Sequence, residues 1–470
     1  MRFGTDGWRG RIGFDFNVAN LRIAARATAE HFLERGLRHA FIGYDRRFLS
    51  KTFARHVGDV FEGQGLKTLI SDSDLPTPAL SWSVASHGEA FGVMITASHN
   101  PPEFNGFKIK QADGSSIEDP AARDIEARWA AGTAPQLQGS GEVPTSADVC
   151  DLLPAYLKAL AERVDIDRLR SRDWTVVVDS MHGCGGNLLE QLLAGGKARV
   201  HTVRNSRDVM FGGTPPEPTP EHLGSTAVEL TRAGGSVGLA TDGDADRLGA
   251  IDEHGEYIGS QILTPLLALH LIESRGVRGA LAKTYAHTLL LDRIAEKFSL
   301  DLHVTPIGFK HLAALMRTES IVACGEESGG IGVAGFIPER DGLLAGLLIL
   351  EALCTRDQTL AQAACDLRRR FGDFHYRRID LRSEPRQGTL AVEALASGLP
   401  SRLAGHPLTG IDRLDGLKCL LGDDGWILFR QSGTESVLRV YAEVRGRQHL
   451  DPLLEAGVEA ISRHLPSESP

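Results

Sequence analysis

The chain has 470 residues, 42% of them hydrophobic and 24% charged, and its formal net charge is −10. This length predicts roughly three or four domains, and the acidic balance argues against a nucleic-acid surface, which needs an excess of Lys and Arg. The cysteines are scattered, without the spacing of a disulfide framework or a zinc site. The opening residues lack the apolar core of a signal peptide, and no apolar run reaches the ~20 residues of a membrane span. We therefore expect a cytoplasmic protein that binds neither nucleic acid nor a membrane.

Short apolar, β-branched runs alternate with helical patterns along most of the chain, which predicts an α/β fold. In chain order, the patterns first predict a strand at 40–43, a helix at 49–62, a strand at 91–96 and a linker at 132–146. A helix at 154–164, a strand at 175–178 and an ordered Pro-rich loop at 205–221 follow. Further along, the patterns predict strands at 237–240 and 321–323 and a buried helix at 342–350. The C-terminal part of the chain predicts a separate sheet, with strands at 374–381, 426–430 and 437–444 and a final helix near 452–465.

Three of the predicted strands end in short polar loops. These loops are Ser98-His-Asn-Pro, Asp242-Gly-Asp-Ala-Asp-Arg and Gly325-Glu-Glu-Ser-Gly-Gly. Ligands of α/β sheets gather at the carboxyl ends of strands. One such loop in each of three predicted domains indicates a shared cleft.

The second loop carries the alternating carboxylates Asp242, Asp244 and Asp246, which can converge on one hard cation. A calcium loop of the EF-hand type is an alternative, because Glu253 falls where its twelfth-position ligand would be. Against it, Arg247 occupies the position that needs Gly, and the segment follows a strand instead of a helix. A solvated acidic turn is a second alternative. We favour a metal site with open coordination positions, as a catalytic Mg²⁺ requires.

In the first loop, Ser98 is followed directly by His99, which invites a hydrolase interpretation. Neighbouring residues of an extended chain point to opposite sides, however, and no G-x-S-x-G elbow surrounds the serine. A turn before Pro101 is the structural alternative. We favour a serine that accepts and returns a phosphoryl group beside the metal.

The remaining candidates are single polar or basic residues whose types suit a sugar phosphate. Glu326 and Ser328 suit vicinal sugar hydroxyls, although such clusters are commonly exposed turns. The segment Arg430-Gln-Ser432-Gly433-Thr434, together with Arg439, forms a hairpin-like loop whose guanidinium and amide groups suit a phosphate, with an ordinary β-turn as the alternative. Arg9 in the Gly-rich opening is ambiguous in the same way, and Lys108 is unremarkable by itself.

Together, these loops resemble the α-D-phosphohexomutase family, which includes phosphoglucomutase, phosphomannomutase and phosphoglucosamine mutase. The resemblance runs in family order along nearly the whole chain, through Phe3-Gly-Thr-Asp-Gly-Trp-Arg-Gly10, Thr96-Ala-Ser-His-Asn-Pro101, Asp242-Gly-Asp-Ala-Asp-Arg247, Gly325-Glu-Glu-Ser-Gly329, and Arg430-Gln-Ser-Gly-Thr-Glu435 with Arg439. It implies four domains around one cleft, namely three related α/β domains at 1–146, 147–255 and 256–369 and a C-terminal α+β domain at 370–470.

The resemblance also implies a role for each candidate residue. Ser98 would carry the transferred phosphate, and one Mg²⁺ per chain would sit among Ser98, Asp242, Asp244 and Asp246. Arg9 and Lys108 would flank the transferring phosphate, where they would assist charge stabilisation and proton transfer, and Arg247 would lie near the sugar. Glu326 and Ser328 would hold two sugar hydroxyls. The non-reacting phosphate would be bound by Arg430, Ser432, Gly433, Thr434 and Arg439.

The favoured substrates are glucose 1-phosphate and glucose 6-phosphate, interconverted through glucose 1,6-bisphosphate, in a monomer or homodimer. Gly330 and Phe309 stand where relatives with broader specificity commonly carry His, and Trp8 also fits glucose-selective members. Ser436 stands where many relatives carry Pro, and this difference would loosen the phosphate loop without removing its hydrogen-bond donors. Phosphomannomutase, phosphoglucosamine mutase and a dual-specificity mutase remain alternatives, as do a metal-dependent sugar phosphatase and a calcium-binding module.

Overall fold

The computed structural model describes residues 2–4, 6–132, 147–433 and 436–465. The predicted linker lies outside these ranges except for Gly132, which follows a helix end. No helix in the described part of the chain is long and apolar enough to cross a membrane. Three mixed sheets with flanking helices are followed by an antiparallel sheet, which confirms the predicted fold class.

The first domain is built on a six-stranded mixed sheet. Its elements are β1 (Trp8–Arg11), α1 (Val18–Glu34), β2 (His39–Tyr44), α2 (Ser50–Gly63), β3 (Lys67–Ser71), α3 (Thr77–His87), β4 (Ala90–Ile95), β5 (Phe104–Lys110), α4 (Asp119–Ala131) and β6 (Asp148–Cys150). The strand order is β1-β5-β4-β2-β3-β6, in which β5 runs antiparallel to both of its neighbours. Because β6 pairs with β3, the first sheet extends past the boundary predicted at residue 146.

The second domain has a five-stranded sheet in the order β11-β10-β9-β7-β8. Its elements are α5 (Leu153–Arg163), α6 (Ile166–Ser171), β7 (Thr175–Asp179), α7 (Leu188–Leu193), β8 (Arg199–Val203), α8 (Gly224–Arg232), β9 (Val237–Thr241), β10 (Leu248–Ile251) and β11 (Tyr257–Ile258). The central strands β7 and β9 are buried along their whole length, as apolar runs in a covered parallel pair should be. The predicted loop at 205–221 is irregular apart from two short 3₁₀ turns.

The third domain has a four-stranded sheet in the order β13-β12-β14-β15. Its elements are α9 (Ser260–Leu269), a π-helical turn (His270–Ser274), β12 (Ala280–Thr284), α10 (Leu290–Phe298), β13 (Leu302–Thr305), α11 (Phe309–Thr318), β14 (Ile321–Gly325), β15 (Ile331–Val333), α12 (Gly342–Arg356) and α13 (Leu360–Phe371). The predicted buried helix is confirmed as α12, which is longer than its most apolar run.

The C-terminal domain is an antiparallel sheet in the order β16-β22-β21-β20-β19, with a small separate hairpin. Its elements are β16 (Phe374–Arg382), α14 (Pro385–Ser397), β17 (Arg402–Leu403), β18 (His406–Pro407), β19 (Gly410–Asp412), β20 (Leu417–Leu420), β21 (Gly425–Gln431), β22 (Val437–Arg445) and α15 (Leu450–Ser462). The predicted strands and the final helix of this region are confirmed. Among the phosphate-loop candidates, Arg430 lies near the end of β21, Ser432 and Gly433 follow that strand, and Arg439 lies in β22.

The apolar clusters show which domains share a core, and the first domain also has a large cluster of its own around Phe53 and Phe91. One cluster includes Leu80 of the first domain, Val176 and Leu239 of the second, and Leu347 of α12, so the first three domains share a core. The C-terminal sheet and its helices have a separate core. A small aromatic cluster, built by Tyr285 and Ala286 with Trp426, Leu428 and Tyr441, joins the C-terminal sheet to the third domain.

Candidate active site

Loops from the first three domains meet at one point, as the sequence predicts. The connection after β4 carries Ser98, and the backbone carbonyl of Ser98 lies so close to Gly243 that a Cβ there would be 2.5 Å away. The loop between β9 and β10 in turn forms a bridge to the loop after β14, through Arg247 and Gly330. The close approach to Gly243 and this bridge fix the three loops relative to one another.

Ser98 is fully buried and sits in the left-handed region of the backbone, with φ of +51°. Such a conformation is costly for a residue with a side chain and is found where the surroundings impose it. Its Oγ donates a hydrogen bond to Oδ2 of Asp242 at 2.7 Å, and the guanidinium of Arg47 binds its carbonyl at 2.6 Å. The serine hydroxyl is therefore held against the acidic loop.

His99 faces away from the serine hydroxyl. One ring nitrogen lies 3.2 Å from Nη1 of Arg9, and the other lies 3.2 Å from Oε1 of Glu217. This geometry agrees with the interpretation that His99 does not serve Ser98 as a base. Burial and then the positive charge of Arg247 lower the pKa of His99 well below its ordinary value, which makes it a neutral imidazole at pH 7.

The three aspartates form a candidate metal site. Each offers one carboxylate oxygen, and these oxygens lie within 4.8 Å of one another. Oδ1 of Asp244 and Oδ1 of Asp246 are buried without a hydrogen-bond partner in the described structure, which is unfavourable unless a cation binds them. Burial and the neighbouring carboxylates raise the pKa of Asp242, a repulsion that a divalent cation would relieve. The donor set therefore fits Mg²⁺.

The EF-hand alternative does not fit this geometry. The acidic loop connects two antiparallel strands, β9 and β10, instead of two helices. Glu253 comes after β10 and is not part of the aspartate cluster. Its Oε2 accepts a hydrogen bond from the backbone of Ala361 at 3.3 Å, in a different part of the fold.

Lys108 on β5 reaches the acidic loop from the first domain. Its Nζ lies 2.8 Å from Oδ2 of Asp244, 2.9 Å from Oδ2 of Asp246 and 2.7 Å from Oδ2 of Asp6. Burial disfavours the charge, but the three carboxylates outweigh it and raise the pKa of Lys108. The ammonium group of Lys108 therefore supplies positive charge beside the acidic loop.

Arg340 is a central residue that the sequence reasoning missed. Its Nε lies 2.9 Å from Oδ2 of Asp246, Nη1 lies 3.3 Å from Oε1 of Glu326, and Nη2 pairs with Asp6. One buried guanidinium thus contacts carboxylates from all three N-terminal domains. It lies just before α12, whose apolar residues belong to the shared core.

The predicted sugar-binding pair lies next to this arginine. Oγ of Ser328 donates to Oε1 of Glu326 at 3.1 Å, and Oε2 of Glu326 is buried without a hydrogen-bond partner in the described chain. A carboxylate oxygen of this kind can accept a hydrogen bond from a ligand hydroxyl. Burial also raises the pKa of Glu326, although Arg340 opposes the shift.

Two residues singled out for sugar choice have structural roles here. Phe309 is buried in the third domain, where the guanidinium of Arg340 lies over its ring at 5.7 Å. The ring is 3% exposed, and the effect of a missing His at this position on the choice of sugar stays a prediction. A Cβ at Gly330 would lie 2.6 Å from Cδ of Arg340, so the glycine makes room for the arginine.

The remaining arginines line the same region. Nη1 of Arg247 lies 3.2 Å from Oε1 of Glu217, and Nη1 of Arg9 donates to the side chain of Asn100. Burial lowers the pKa of Arg9, with a nearby Asp6 opposing this. Both residues lie beside the serine and aspartate loops, as predicted.

The C-terminal loop is organised by its own domain. Nε of Arg430 lies 2.8 Å from Oδ1 of Asp415, and Nε of Arg439 lies 3.5 Å from Oδ2 of Asp380. The backbone amide of Ser432 donates to the carbonyl of Val437 at 2.9 Å, which closes the hairpin, and Gly433 is exposed at its tip. Thr434 lies outside the described residues. Burial opposes the charge of Arg430, but Asp415 and, more weakly, Glu327 of the third domain raise its pKa.

Models of the phosphoglucomutase/phosphomannomutase family match four successive segments of the chain. The α/β/α domains I, II and III match residues 1–136, 154–255 and 259–371, and the C-terminal domain matches residues 402–460. Each match covers most of one of the four sheets described above, and the strands β6, β11 and β16 lie outside the matched ranges.

Individual relatives extend over nearly the full length. The chain is 29% identical over 400 residues to a phosphoglucomutase/phosphomannomutase of Thermococcus kodakarensis, covering 83% of this chain and 82% of that protein. It is 29% identical over 483 residues to a phosphoglucosamine mutase of Mycobacterium ulcerans, covering 98% of each. A crystal structure from Thermus thermophilus, provisionally named a phosphomannomutase, aligns with a TM-score of 0.88 at 34% identity, covering 98% of this chain and 99% of that one.

Proposed function

Because this chain belongs to the phosphoglucomutase/phosphomannomutase family and is a phosphohexomutase, we propose that it interconverts glucose 1-phosphate and glucose 6-phosphate. Phosphorylated Ser98 gives its phosphoryl group to the free hydroxyl of the sugar phosphate. The glucose 1,6-bisphosphate so formed turns end for end, and its other phosphate returns to Ser98. The reaction is an isomerisation, since no phosphate is lost overall.

The observation that carries the proposal is the contact of the Ser98 hydroxyl with Asp242 inside a buried three-aspartate cluster. Asp242, Asp244, Asp246 and an oxygen of the Ser98 phosphate would hold Mg²⁺, which neutralises negative charge on the transferring group when bound. Lys108 places an ammonium group between the first and second domains, next to the same carboxylates. These residues stabilise charge, and phosphoryl transfer depends chiefly on that.

The rest of the cleft orients the sugar. Glu326 and Ser328 bind two hydroxyls that a hexose presents in both orientations, and Arg247 lies beside them. The non-reacting phosphate is bound by the C-terminal loop, through Arg430, Ser432, Gly433, Thr434 and Arg439. Binding the sugar through groups shared by its two orientations allows the intermediate to be used from either end.

Glucose is favoured because the place beside Glu326 lacks a polar ring. Gly330 leaves room for Arg340, whose guanidinium is already paired with carboxylates of three domains. Neither Gly330 nor Phe309 supplies the partner that a His could offer to the axial hydroxyl of mannose or the amino group of glucosamine. Phosphoglucosamine mutase is the second candidate, because relatives that match 98% of the chain bear that name.

Coupled assays on glucose 1-phosphate, mannose 1-phosphate and glucosamine 1-phosphate test the choice of sugar. We expect the largest kcat/KM for glucose 1-phosphate, by roughly 5–150-fold, because an unpaired buried polar group costs about 1–3 kcal/mol. Activity should require a small amount of glucose 1,6-bisphosphate. Equal kcat/KM values for the three sugars would refute glucose selectivity, and release of inorganic phosphate without isomerisation would identify a phosphatase.

Cytoplasmic location and a monomeric or homodimeric state stay predictions. Size-exclusion chromatography with light scattering gives the oligomeric state directly.

A further inference from the structure

A third arginine shares the face of the C-terminal sheet on which the predicted phosphate-binding arginines lie. Arg430 pairs across the strands with Arg439, and Arg439 pairs with Asp380 on β16. Directly opposed residues of an antiparallel sheet point to the same side, and so do residues two apart along one strand. Arg378 is two residues before Asp380 and therefore lies on this face.

Asp380 holds two of these guanidinium groups side by side. Its Oδ1 lies 2.8 Å from Nε of Arg378, and its Oδ2 lies 3.5 Å from Nε of Arg439. The ion pair of Arg378 uses Nε, so both of its Nη groups can point to a ligand. A carboxylate that fixes a guanidinium in this way lowers the entropy lost when a ligand binds.

Arg378 is also the most exposed of the three. Its side chain is 31% exposed, compared with 12% for Arg430 and 17% for Arg439. On this face the guanidinium groups of Arg378 and Arg439 lie beside Asp380, and that of Arg430 lies beside Asp415. Three guanidinium groups on one face offer a phosphate dianion opposite charge and several N–H donors.

The same face continues into the contact with the third domain. Arg378 pairs across the strands with Tyr441, which belongs to the aromatic cluster that joins the C-terminal sheet to that domain. Arg378 therefore lies on the side of the sheet that faces the third domain, which carries the predicted sugar-binding pair Glu326 and Ser328.

We propose that Arg378 is a substrate-binding residue that contributes a third guanidinium to the non-reacting phosphate of the sugar phosphate. The inference rests on the proposed mutase function and adds a residue to its phosphate site. The third arginine has a specific consequence for the bisphosphate intermediate, which must reverse its orientation without dissociating from the enzyme. Because the intermediate always presents one phosphate to this face, a third arginine slows its escape.

Arg378→Gln tests the proposal, with Arg377→Gln as the matched control. Arg377 is the neighbour on the same strand, points to the opposite face and pairs with Asp451 at 2.7 Å. We expect Arg378→Gln to raise the KM for glucose 1-phosphate by roughly 10-fold or more, with kcat within about threefold. The variant should also need more added glucose 1,6-bisphosphate, because it loses the intermediate more often. Arg377→Gln should match the wild type in both measurements.

A structural role would give a different result. If Arg378 only orders the sheet, both variants should lower the melting temperature and leave the requirement for glucose 1,6-bisphosphate unchanged. Arg378→Lys keeps the positive charge but loses the bidentate donors of the guanidinium, so it should recover part of the phosphate affinity that Arg378→Gln loses. An unchanged KM in a folded Arg378→Gln variant, or the same rise in Arg377→Gln, would overturn the proposal.

Calorimetric binding of hexose 6-phosphates separates this proposal from the choice of sugar. Glucose 6-phosphate, mannose 6-phosphate and glucosamine 6-phosphate share the phosphate, so Arg378→Gln should weaken whichever of them the wild type binds. If the wild type fails to isomerise glucose 1-phosphate but Arg378→Gln still loses phosphate affinity, the sugar assignment fails and the phosphate contact stands. If turnover is as proposed and binding is unchanged, only the role of Arg378 fails.

Discussion

The two ends of the cleft are built in different ways. At the reaction end, Ser98 and the three aspartates are fully buried, and Lys108 and Arg340 contact carboxylates from other domains. At the other end, the arginines of the C-terminal sheet are partly exposed, and they form ion pairs with carboxylates of their own domain. The first end is assembled by the shared core, whereas the second is carried by a domain with a core of its own.

This difference fits the two tasks that a mutase must combine. Phosphoryl transfer needs charges held in place before the reaction, which burial among three domains provides. Release and reversal of the intermediate need a site that can open, and the C-terminal domain meets the third domain through a small aromatic cluster. We therefore expect loss of a group to stop chemistry at one end and to weaken binding at the other.

Ser98→Ala should have the largest effect. In the proposed mechanism the hydroxyl is the reagent, and it makes a single side-chain hydrogen bond to Asp242, so the fold should survive its loss. We expect mutase activity to fall by at least about 10³-fold, as when other enzymes lose a nucleophile. Intact-mass spectrometry of the wild type should show one phosphate, mapped to Ser98 and missing from the variant. Normal turnover by the alanine variant would end the assignment.

Asp244→Asn should act next most strongly, through the metal. The change removes a ligand charge but keeps a side chain of similar size, and the groups around Lys108 and Thr77 remain. Loss of a group that only hydrogen-bonds to a metal ligand typically lowers metal affinity 10–100-fold. Loss of a ligand charge should therefore raise the Mg²⁺ concentration needed for half-maximal activity by at least about 10-fold. Titration of activity with Mg²⁺ measures the change, and EDTA should stop the wild type.

Glu229→Gln is the control for this change, because Glu229 is an acidic residue of the same domain paired with Arg232 on the surface. It should leave the Mg²⁺ requirement unchanged. Full activity of the wild type in EDTA would show that the aspartates serve another purpose.

The local motifs of the reaction end could be predicted from the sequence, but the contacts between them could not. Ser98 and the acidic loop each follow a buried strand, and strand ends in α/β sheets are where ligands bind. Asp6 and Arg340, by contrast, are 334 positions apart and become partners through packing of the shared core. A single sequence gives no sign of such a pair.

Errors and omissions in the fold have similar causes. The strands β1 and β5 combine Gly with Arg, Asn or Lys, since they carry side chains toward the cleft, and their patterns are not those of apolar strands. The position of Phe309 directly after Gly308 suggests a loop residue on the ligand surface. The structure buries it as the first residue of α11, where only tertiary packing decides which way the ring points.

Arg430→Ala should have a smaller effect, and of a different kind. Loss of a charge-assisted contact to phosphate costs roughly 1.5–3 kcal/mol per bond, which corresponds to about 10–150-fold in KM. The Mg²⁺ requirement should stay that of the wild type, because the C-terminal sheet carries none of the predicted metal ligands. Arg377→Gln again serves as the control. A fall in kcat with constant KM would contradict the division of tasks between the two ends.

The smallest effect concerns stability and the burial of charge at the reaction end. Asp341 follows Arg340, caps α12 through the backbone amide of Leu344 and accepts a hydrogen bond from Tyr156 at 2.8 Å. Burial raises the pKa of Asp341 to about 6, although these hydrogen bonds favour the ionised form. Between pH 6 and the ordinary carboxyl value near 3.8, the folded state binds a proton that the unfolded state does not. This contribution to stability therefore grows as the pH falls below about 6.

Asp341→Asn should remove that dependence, because Asn can still cap the helix but does not titrate. The free energy of unfolding of the wild type relative to the variant should rise by about 1 kcal/mol between pH 7.5 and pH 5. Urea denaturation at the two pH values measures it. Glu351→Gln is the control. Despite the burial of Glu351, hydrogen bonds from His270 and Arg275 lower its pKa to about 2, so this substitution should lower the free energy of unfolding by nearly the same amount at both pH values. If the difference in free energy of unfolding between the wild type and Asp341→Asn were the same at both pH values, burial of the Asp341 charge would have no cost. The reaction end and the C-terminal face would then differ in their place in the fold but not in the energetic cost of their charges.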